Sequence, residues 1–218
     1  VAFPYMVISL YLTREELPAY EESMHHDNLI VLVKIREGET GSLGQSLHEI
    51  GTVCKISQLS KLPEGRTKVI LDGLARVRLN SVVQESPVTL AQVALVREFT
   101  EKSMVSEALV SSLNALLKIA LSYGRPLPDD VMKMIDYIDN PARLADLVAL
   151  YVNLPLEEQQ ALLETVDPID RLKKVYMHLT GEVQRLQIKG EVQAEVTKKV
   201  GKTQKEYLLR EQMKQIQE

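Results

Sequence analysis

The hydrophobic period changes once along this chain, near residues 98–102, and that switch restricts the fold more than any other feature. Before it come short runs rich in Val, Ile and Leu: VISLYL, LIVLVKIR, IGTVCKISQL, TKVIL, ARVRL and VTLAQVALVREF. Several alternate in steps of two, as half-buried strands do. After it, apolar residues recur at three- and four-residue spacing, which marks amphipathic helices. A β-rich half followed by a helical half predicts an α+β chain.

Local signals divide each half further. LPEGR, Leu62 to Arg66, has Pro early and Gly late, so the strands around it are expected to form a hairpin. A second break is expected at LDG, Leu71 to Gly73. Thr13 with Glu16 three residues later makes a capping box for a helix over REELPAYEESMHH, with Pro18 in its early turns. REGETGSLGQ, Arg36 to Gln45, reads as a loop by composition. In the second half MVSEALVSSLNALLKIALSYG stops at Gly124. PDDVMKMIDYID and PARLADLVALYVN each begin with Pro near the first turn, where its missing N–H costs least. LEEQQALLETV follows. The expected units are a β-rich lobe over residues 1–99, a helical bundle over 100–167 and a long helix over 168–218.

In the last unit Leu172, Tyr176, Leu179, Val183 and Leu186 follow a four-three-four-three spacing, the seam of a packed helix. Ile188, Val192, Val196 and Val200 then recur every four residues, so the stripe drifts around the axis. The region beyond Gly181 is Gln-rich, mixed in charge and thinly apolar, a pattern of bridging helices. A continuous helix from Pro168 would reach roughly 75 Å, with Gly190 and Gly201 as its weak points. KTQKEYLLREQMKQIQE carries no Gly cap and no terminating Pro, so the helix is expected to run into a further module.

Composition bounds function more by exclusion. The 218 residues can hold one large or two small domains, and the net charge of −4 argues against a dedicated nucleic-acid binder. The single cysteine, Cys54, excludes an intramolecular disulfide and sits in a β-branched run, as a buried strand thiol would. VAFPYMVISLYL has no positive leader region and is shorter than the roughly 20 residues of a membrane span. Nothing in it targets a membrane.

Motif-like stretches fail on inspection. VGKTQ, Val200 to Gln204, contains the GKT of a phosphate loop, but Val196 stands where that motif needs Gly and the flank is helical. GETGSLG, Gly38 to Gly44, lacks the GxGxxG order and does not visibly open a helix, which favours a connector. His25 and His26 are adjacent, so on a helix they diverge by about 100° and cannot grip one metal. Asp129 and Asp130 stand at a helix start, where carboxylates are favoured electrostatically. GxSxG, HExxH and Cys-x-x-Cys do not occur. No catalytic, cofactor-binding or metal-ligating residue is expected, and the chain by itself does not read as an enzyme.

EVQRLQIKGEVQAEVTKKVGKTQKEYLLREQMKQIQE resembles the long helix that joins the N-terminal domain of Lon proteases to their ATPase module. The YLL before REQMK, the FP of AFPYMVISL, the EIGTVCKISQLSKLPEGRTKVILDGLARVRL region and the start of DPIDRLKKV fall in that family's order. The resemblance covers essentially the whole chain. It implies a β-rich, PUA-like N-terminal lobe, an α-helical lobe and a long connecting helix. It further implies a homohexameric, ATP-dependent serine protease of the bacterial cytoplasm, or alternatively the mitochondrial matrix, that clears misfolded and regulatory proteins. ATP with Mg and a Ser–Lys dyad would belong to modules that have no matching residues here, and no cofactor is expected in this segment.

A non-catalytic domain of that kind is expected to bind unfolded, misfolded or degron-bearing proteins and to support the hexamer. Phe3, Pro4, Tyr5 and Met6 form an apolar cluster for which core packing is favoured over an exposed groove. Met132 and Met134 stand two apart on a helix, so at least one is candidate adaptable surface. Tyr207, Leu208 and Met213 lie on the last helix, as subunit-packing or pore-side contacts. Two rival readings remain: a stand-alone PUA-like binding module and a domain that serves mainly as an assembly scaffold.

Overall fold

The structure is a computed structural model that describes residues 1–36, 43–63, 66–99, 103–123, 129–152 and 154–217. The side chains of residues 129, 130, 132, 136, 201–203 and 205–217 lie outside that description. The first half folds as β1 (Val7–Leu12), α1 (Leu17–Met24), β2 (Leu29–Leu32), α2 (Leu43–Ser46), β3 (Ile50–Lys61), β4 (Thr67–Gln84) and β5 (Leu90–Leu95). The second is helical: α3 (Met104–Ser122), α4 (Asp129–Asp136), α5 (Pro141–Tyr151), α6 (Leu156–Glu164) and α7 (Pro168–Gln217). The α+β division expected from the change of period is the one observed.

All strand pairs are antiparallel, in the order β1-β4-β3-β2 with β5 also on β4. The hairpin expected at LPEGR pairs β3 with β4, with Lys61 opposite Thr67 and the Leu62 N–H donating to the Arg66 carbonyl at 2.8 Å; Glu64 and Gly65 lie outside the described residues. Along the edge of β4 away from β3, β1 covers Thr67 to Asp72 and β5 takes over from Val77. Arg76, in the short stretch between these two partners, reaches Asp146 on α5, and the start of β3 meets α6, where Gln160 Nε2 donates to the Ile50 carbonyl at 3.1 Å.

Three local expectations need correction. No break falls at Leu71 to Gly73, because β4 runs through them for 18 residues. What the glycine marks is a close approach: a Cβ on Gly73 would lie 2.5 Å from the Phe3 carbonyl oxygen. The register slips there, so Leu74 is an extra residue in a β-bulge between the Cys54–Gly73 and Val53–Ala75 pairs. The capping box forms, with the Thr13 N–H donating to Glu16 at 2.8 Å and the Glu16 N–H to Thr13 Oγ1 at 3.3 Å. It closes a turn, however, and α1 starts only at Leu17, which puts Pro18 in the first turn where the helix tolerates it. Residues 37–42 of the expected loop lie outside the described residues, but it does end in a helical turn, α2. Four residues are too few to be helical by propensity. Tertiary contact holds them: Ser46 is buried, its carbonyl accepts from the Arg36 N–H at 2.7 Å, and Gly44 abuts Val82.

Two apolar clusters result. Leu12, Tyr20, Cys54, Ile56, Val69 and Leu71 fill one face of the sheet. Burial raises the Cys54 thiol to about 12, with the Asp72 charge adding to it, so the thiol is inert packing as expected. The larger cluster lies among α3, α5, α6 and α7 and takes in Phe3 and Ile50 from the sheet half. The fully buried Phe3 ring stabilises that junction by about 1.5–3 kcal/mol. Asn140 caps α5 by accepting from the N–H groups of Ala142 and Arg143 at 2.9 and 3.2 Å, with Pro141 following it. Helix α3 is long and apolar enough to cross a membrane, yet Leu113, Leu117 and Ala120 are buried in this cluster.

Helix α7 is continuous for 50 residues, through Gly190 and Gly201. The GKT of VGKTQ is thus helical, as its flank suggested. Leu172, Leu179 and Val183 are buried as the seam predicts, Tyr176 packs against the same cluster, and Val175 joins them.

Candidate functional site

The N-terminal segment is fixed to the sheet by backbone bonds. The Tyr5 N–H donates to the Gly73 carbonyl and the Gly73 N–H to the Met6 carbonyl, both at 2.8 Å. Thr52 Oγ1 donates to the Ala2 carbonyl at 2.7 Å. With Phe3 and Pro4 turned inward, the chain reverses at Tyr5, whose φ of 64° lies in the left-handed region. A bulky residue in that conformation is a strained outlier. Tyr5 is 56% exposed, and the Arg143 guanidinium lies 5.1 Å from its ring centroid. Arg143 stands in the first turn of α5, where the helix dipole disfavours a cation, so the ring is its compensating contact.

Tyr5 forms one wall of a notch of about 220 Å³ between the sheet and α5. Pro4, Leu74, Val96 and Ala142 supply apolar walls, and Arg76 and Glu98 lie at the base. The notch occupies the stretch of β4 between its two edge partners, where Gly73 bonds to the N-terminal segment and the Arg76 carbonyl accepts from the Val96 N–H at 3.0 Å. The bulge turns Leu74 outward into it, a common use of bulges beside sites.

Beneath it lies a buried charge quartet. Arg76 on β4 grips Asp146 on α5 with both ends of its guanidinium, at 2.7 and 2.6 Å, and Glu98 at 2.8 Å. Arg171 on α7 pairs with the same Glu98 and Asp146 at 2.9 and 3.0 Å. These last two are close ion pairs. Arg76 Nε donates to the Leu163 carbonyl at 2.9 Å and Arg171 Nη1 to the Thr165 carbonyl at 2.7 Å. Burial, opposed chiefly by the Asp146 charge, lowers the Arg171 pKa from the usual guanidinium range. Two cations and two carboxylates leave the base of the notch formally neutral, so the quartet ties sheet to helices without creating a charged site.

The expected contact residues divide between inside and outside. Phe3 and Pro4 are buried, Met6 is half-buried and Tyr5 alone of the four faces solvent, so the cluster is partly core and partly wall. Met134 on α4 is 47% exposed, while its neighbour Ile135 is buried. The Met132 side chain lies outside the described residues, as do those of Tyr207, Leu208 and Met213 on α7. The notch unites Pro4 and Tyr5 with Leu74, Val96 and Ala142, none of which the sequence singled out. A signal did exist for the quartet, because Asp146 interrupts the apolar PARLADLVALY and a carboxylate on a core-facing helix needs partners. Among the described residues, no group of three or more His, Cys, Asp or Glu is placed to hold a metal ion.

Residues 1–181 match the model of the ATP-dependent protease La (LON) substrate-binding domain. The Lon protease of Citrifermentans bemidjiense is 71% identical over 218 residues, which is 100% of this chain and 28% of that protein. The Lon protease of Escherichia coli K12 is 34% identical, again over 100% of this chain and 28% of its own length. The chain therefore spans little more than a quarter of the relatives it matches. Its fold is similar to the N terminal domain of Mycobacterium avium complex Lon protease, with a TM-score of 0.64 at 20% identity, covering 83% of this chain and 92% of that one. A Lon N-terminal domain protein from Xanthomonas campestris gives a TM-score of 0.59 at 17% identity, covering 80% and 90%.

Proposed function

The chain belongs to the Lon protease family, as its substrate-binding domain, and on that premise we propose that it captures exposed apolar segments of unfolded, misfolded or degron-bearing proteins. The observation that carries this reading is the set of large apolar side chains left in solvent beside two buried apolar clusters. Tyr5 and Leu74 at the notch, Phe99 beyond β5 and Tyr137 beyond α4 are all exposed. In this reading Tyr5, Met6 and Met134 touch substrate, and the buried Phe3 and Pro4 support the N-terminal pair from within.

Capture of this kind is weak by construction. A segment burying about 300 Å² of apolar surface gains roughly 7 kcal/mol gross at about 25 cal/mol per Å². Association costs at least about 4 kcal/mol, so one domain holds such a segment only loosely. Six copies in a homohexamer would raise the effective affinity wherever one flexible chain spans the sites. Weak multivalent capture suits a protease that must release its cargo to a pore. In this reading residues 1–99 and 100–167 are the recognition lobes, and residues 168–218 lead toward an ATPase module. ATP, Mg and the Ser–Lys dyad act there and beyond. The setting is a bacterial cytoplasm, with protein rather than nucleic acid or membrane as partner.

The test is an NMR titration of the 218-residue chain with one polypeptide, presented unfolded and then natively folded, at millimolar concentrations. Shifts confined to an apolar patch and seen only with the unfolded form are expected. Equal shifts with both forms, or none, would overturn the reading. A second role, assembly scaffolding, is favoured by the exposed α7 stripe of Ile188, Val192, Val196 and Val200, and in this reading Tyr207, Leu208 and Met213 further along the sequence are subunit contacts. A stable oligomer of the chain in dilute solution supports it, and a monomer counts against it.

A further inference from the structure

We propose that the outer edge of β5 takes up an extended segment of unfolded chain as a further antiparallel strand, so that backbone rather than side chains is recognised there. The inference rests on the capture reading above and supplies its mode of contact. The pairing of β3 with β4 ends at Ile50 and Arg78, and the Leu79 N–H still donates to the Glu49 carbonyl at 2.7 Å. From Ser81 to Gln84, among the described residues, β4 pairs with β5 alone. A two-stranded ribbon is marginal in water and is completed by a third strand or by a helix. On the β4 side Gly44 of α2 abuts Val82, and the side left open is the edge of β5.

The register identifies the groups this edge offers. The Val96 N–H donates to the Arg76 carbonyl, so Arg76 with Val96 is a hydrogen-bonded pair, and Arg78 with Ala94 is the next. Both register slips place their extra residue, Asn80 and Val83, in β4, so β5 keeps a regular alternation. The N–H and C=O groups of Ala91, Val93 and Leu95 therefore point away from β4, and among the described residues no further strand pairs with them. Natural edges are guarded by charge, proline or a bulge. LAQVAL has none of these, and all its residues except the half-buried Val93 are exposed. β1 is uncharged too, but Ile8 and Leu10 already seat it on the core. An edge of this kind fits an extended backbone, which alone presents donors and acceptors at matching spacing. A folded protein has paired its backbone groups within itself, whereas an unfolded one has not. Strand addition at β5 thus separates the two states with little regard to sequence.

The test titrates the 218-residue chain with a soluble peptide of alternating Thr and Val, and with the same peptide N-methylated throughout its centre. At about nine-tenths saturation the plain peptide is expected to slow amide exchange at Ala91, Val93 and Leu95 by about tenfold. The methylated peptide keeps the side chains but lacks the donors, and is expected to bind at least about tenfold more weakly. Val93→Pro removes an N–H that β4 does not use, so the sheet is expected to survive while peptide binding falls by about tenfold or more. Ala91→Lys, a charge of the kind that guards edges, is expected to weaken binding as well. Equal affinity for the two peptides, or undiminished binding by both variants, would overturn the proposal. So would β5 amide shifts that follow the concentration of the chain alone, because they assign the edge to a second copy. A reduced and alkylated unfolded protein separates the two levels. If it binds and leaves β5 unprotected, only strand addition fails, and if it does not bind at all, the capture reading fails with it.

Discussion

Asp146 holds two guanidinium groups that reach it from β4 and α7, and the three residues are fully buried. Removing one member of such a group costs more than removing all of it, because the partners are left charged in a dry interior. Asp146→Ala strands Arg76 and Arg171 together and is expected to lower unfolding stability by about 3–5 kcal/mol in urea titration. Replacing the whole quartet with apolar residues of similar volume should cost far less. A loss below about 1 kcal/mol for Asp146→Ala would show that the quartet does not join the lobes. At this scale the sequence was legible by residue type but not by partner. A lone carboxylate in PARLADLVALY announces a buried pair, but Arg76 is 70 residues away and nothing local points to it. Tyr5 was legible as apolar and not as strained, because its positive φ is imposed by a segment that Gly73 clamps from another strand.

Elements were easier to read wherever one period governs them. The β3–β4 hairpin stood in the alternation and its turn, and α3, α5 and α6 stood in their helical spacing and their breaks. The misread stretch, Leu71 to Gly73, shows the limit: a glycine required by a neighbouring backbone looks like a glycine required by a turn. In α7 the four-three seam was found, but Val175 and Arg171 were not, because the helix packs against both α3 and α5 and so buries a face wider than one stripe. Between Val183 and Val200 it buries little, with Ile188, Val192, Val196 and Val200 between 51% and 60% exposed. Helix without tertiary burial is marginal in water. Amides of residues 172–183 should therefore exchange near the rate set by global unfolding, and those of 188–200 orders of magnitude faster. Leu179→Ala is expected to cost about 2–5 kcal/mol, and Val196→Ala less than about 0.5 kcal/mol. Uniform protection along α7 would mean that a partner covers the outer stripe.

For the whole molecule, Phe3 and Ile50 in the helical cluster and the quartet below the notch make the two lobes one scaffold for an exposed apolar rim. Rigidity matters to recognition, since a binding surface already ordered loses less entropy when a flexible chain arrives. The fold class and the family order were readable in 218 residues because both are written in period and punctuation. The rim was not, because it is assembled from the N-terminal segment, a bulge in β4 and the first turn of α5. The central claim is that one copy recognises unfolded chain weakly and several copies together recognise it well. The most direct test is the affinity of one reduced, alkylated polypeptide for the single chain and for six copies carried on an unrelated ring-forming scaffold. A gain of about 10²–10⁴ with six copies, absent for the same polypeptide when folded, is the predicted result. Equal affinity for one copy and six, or no preference for the unfolded form, would contradict the account.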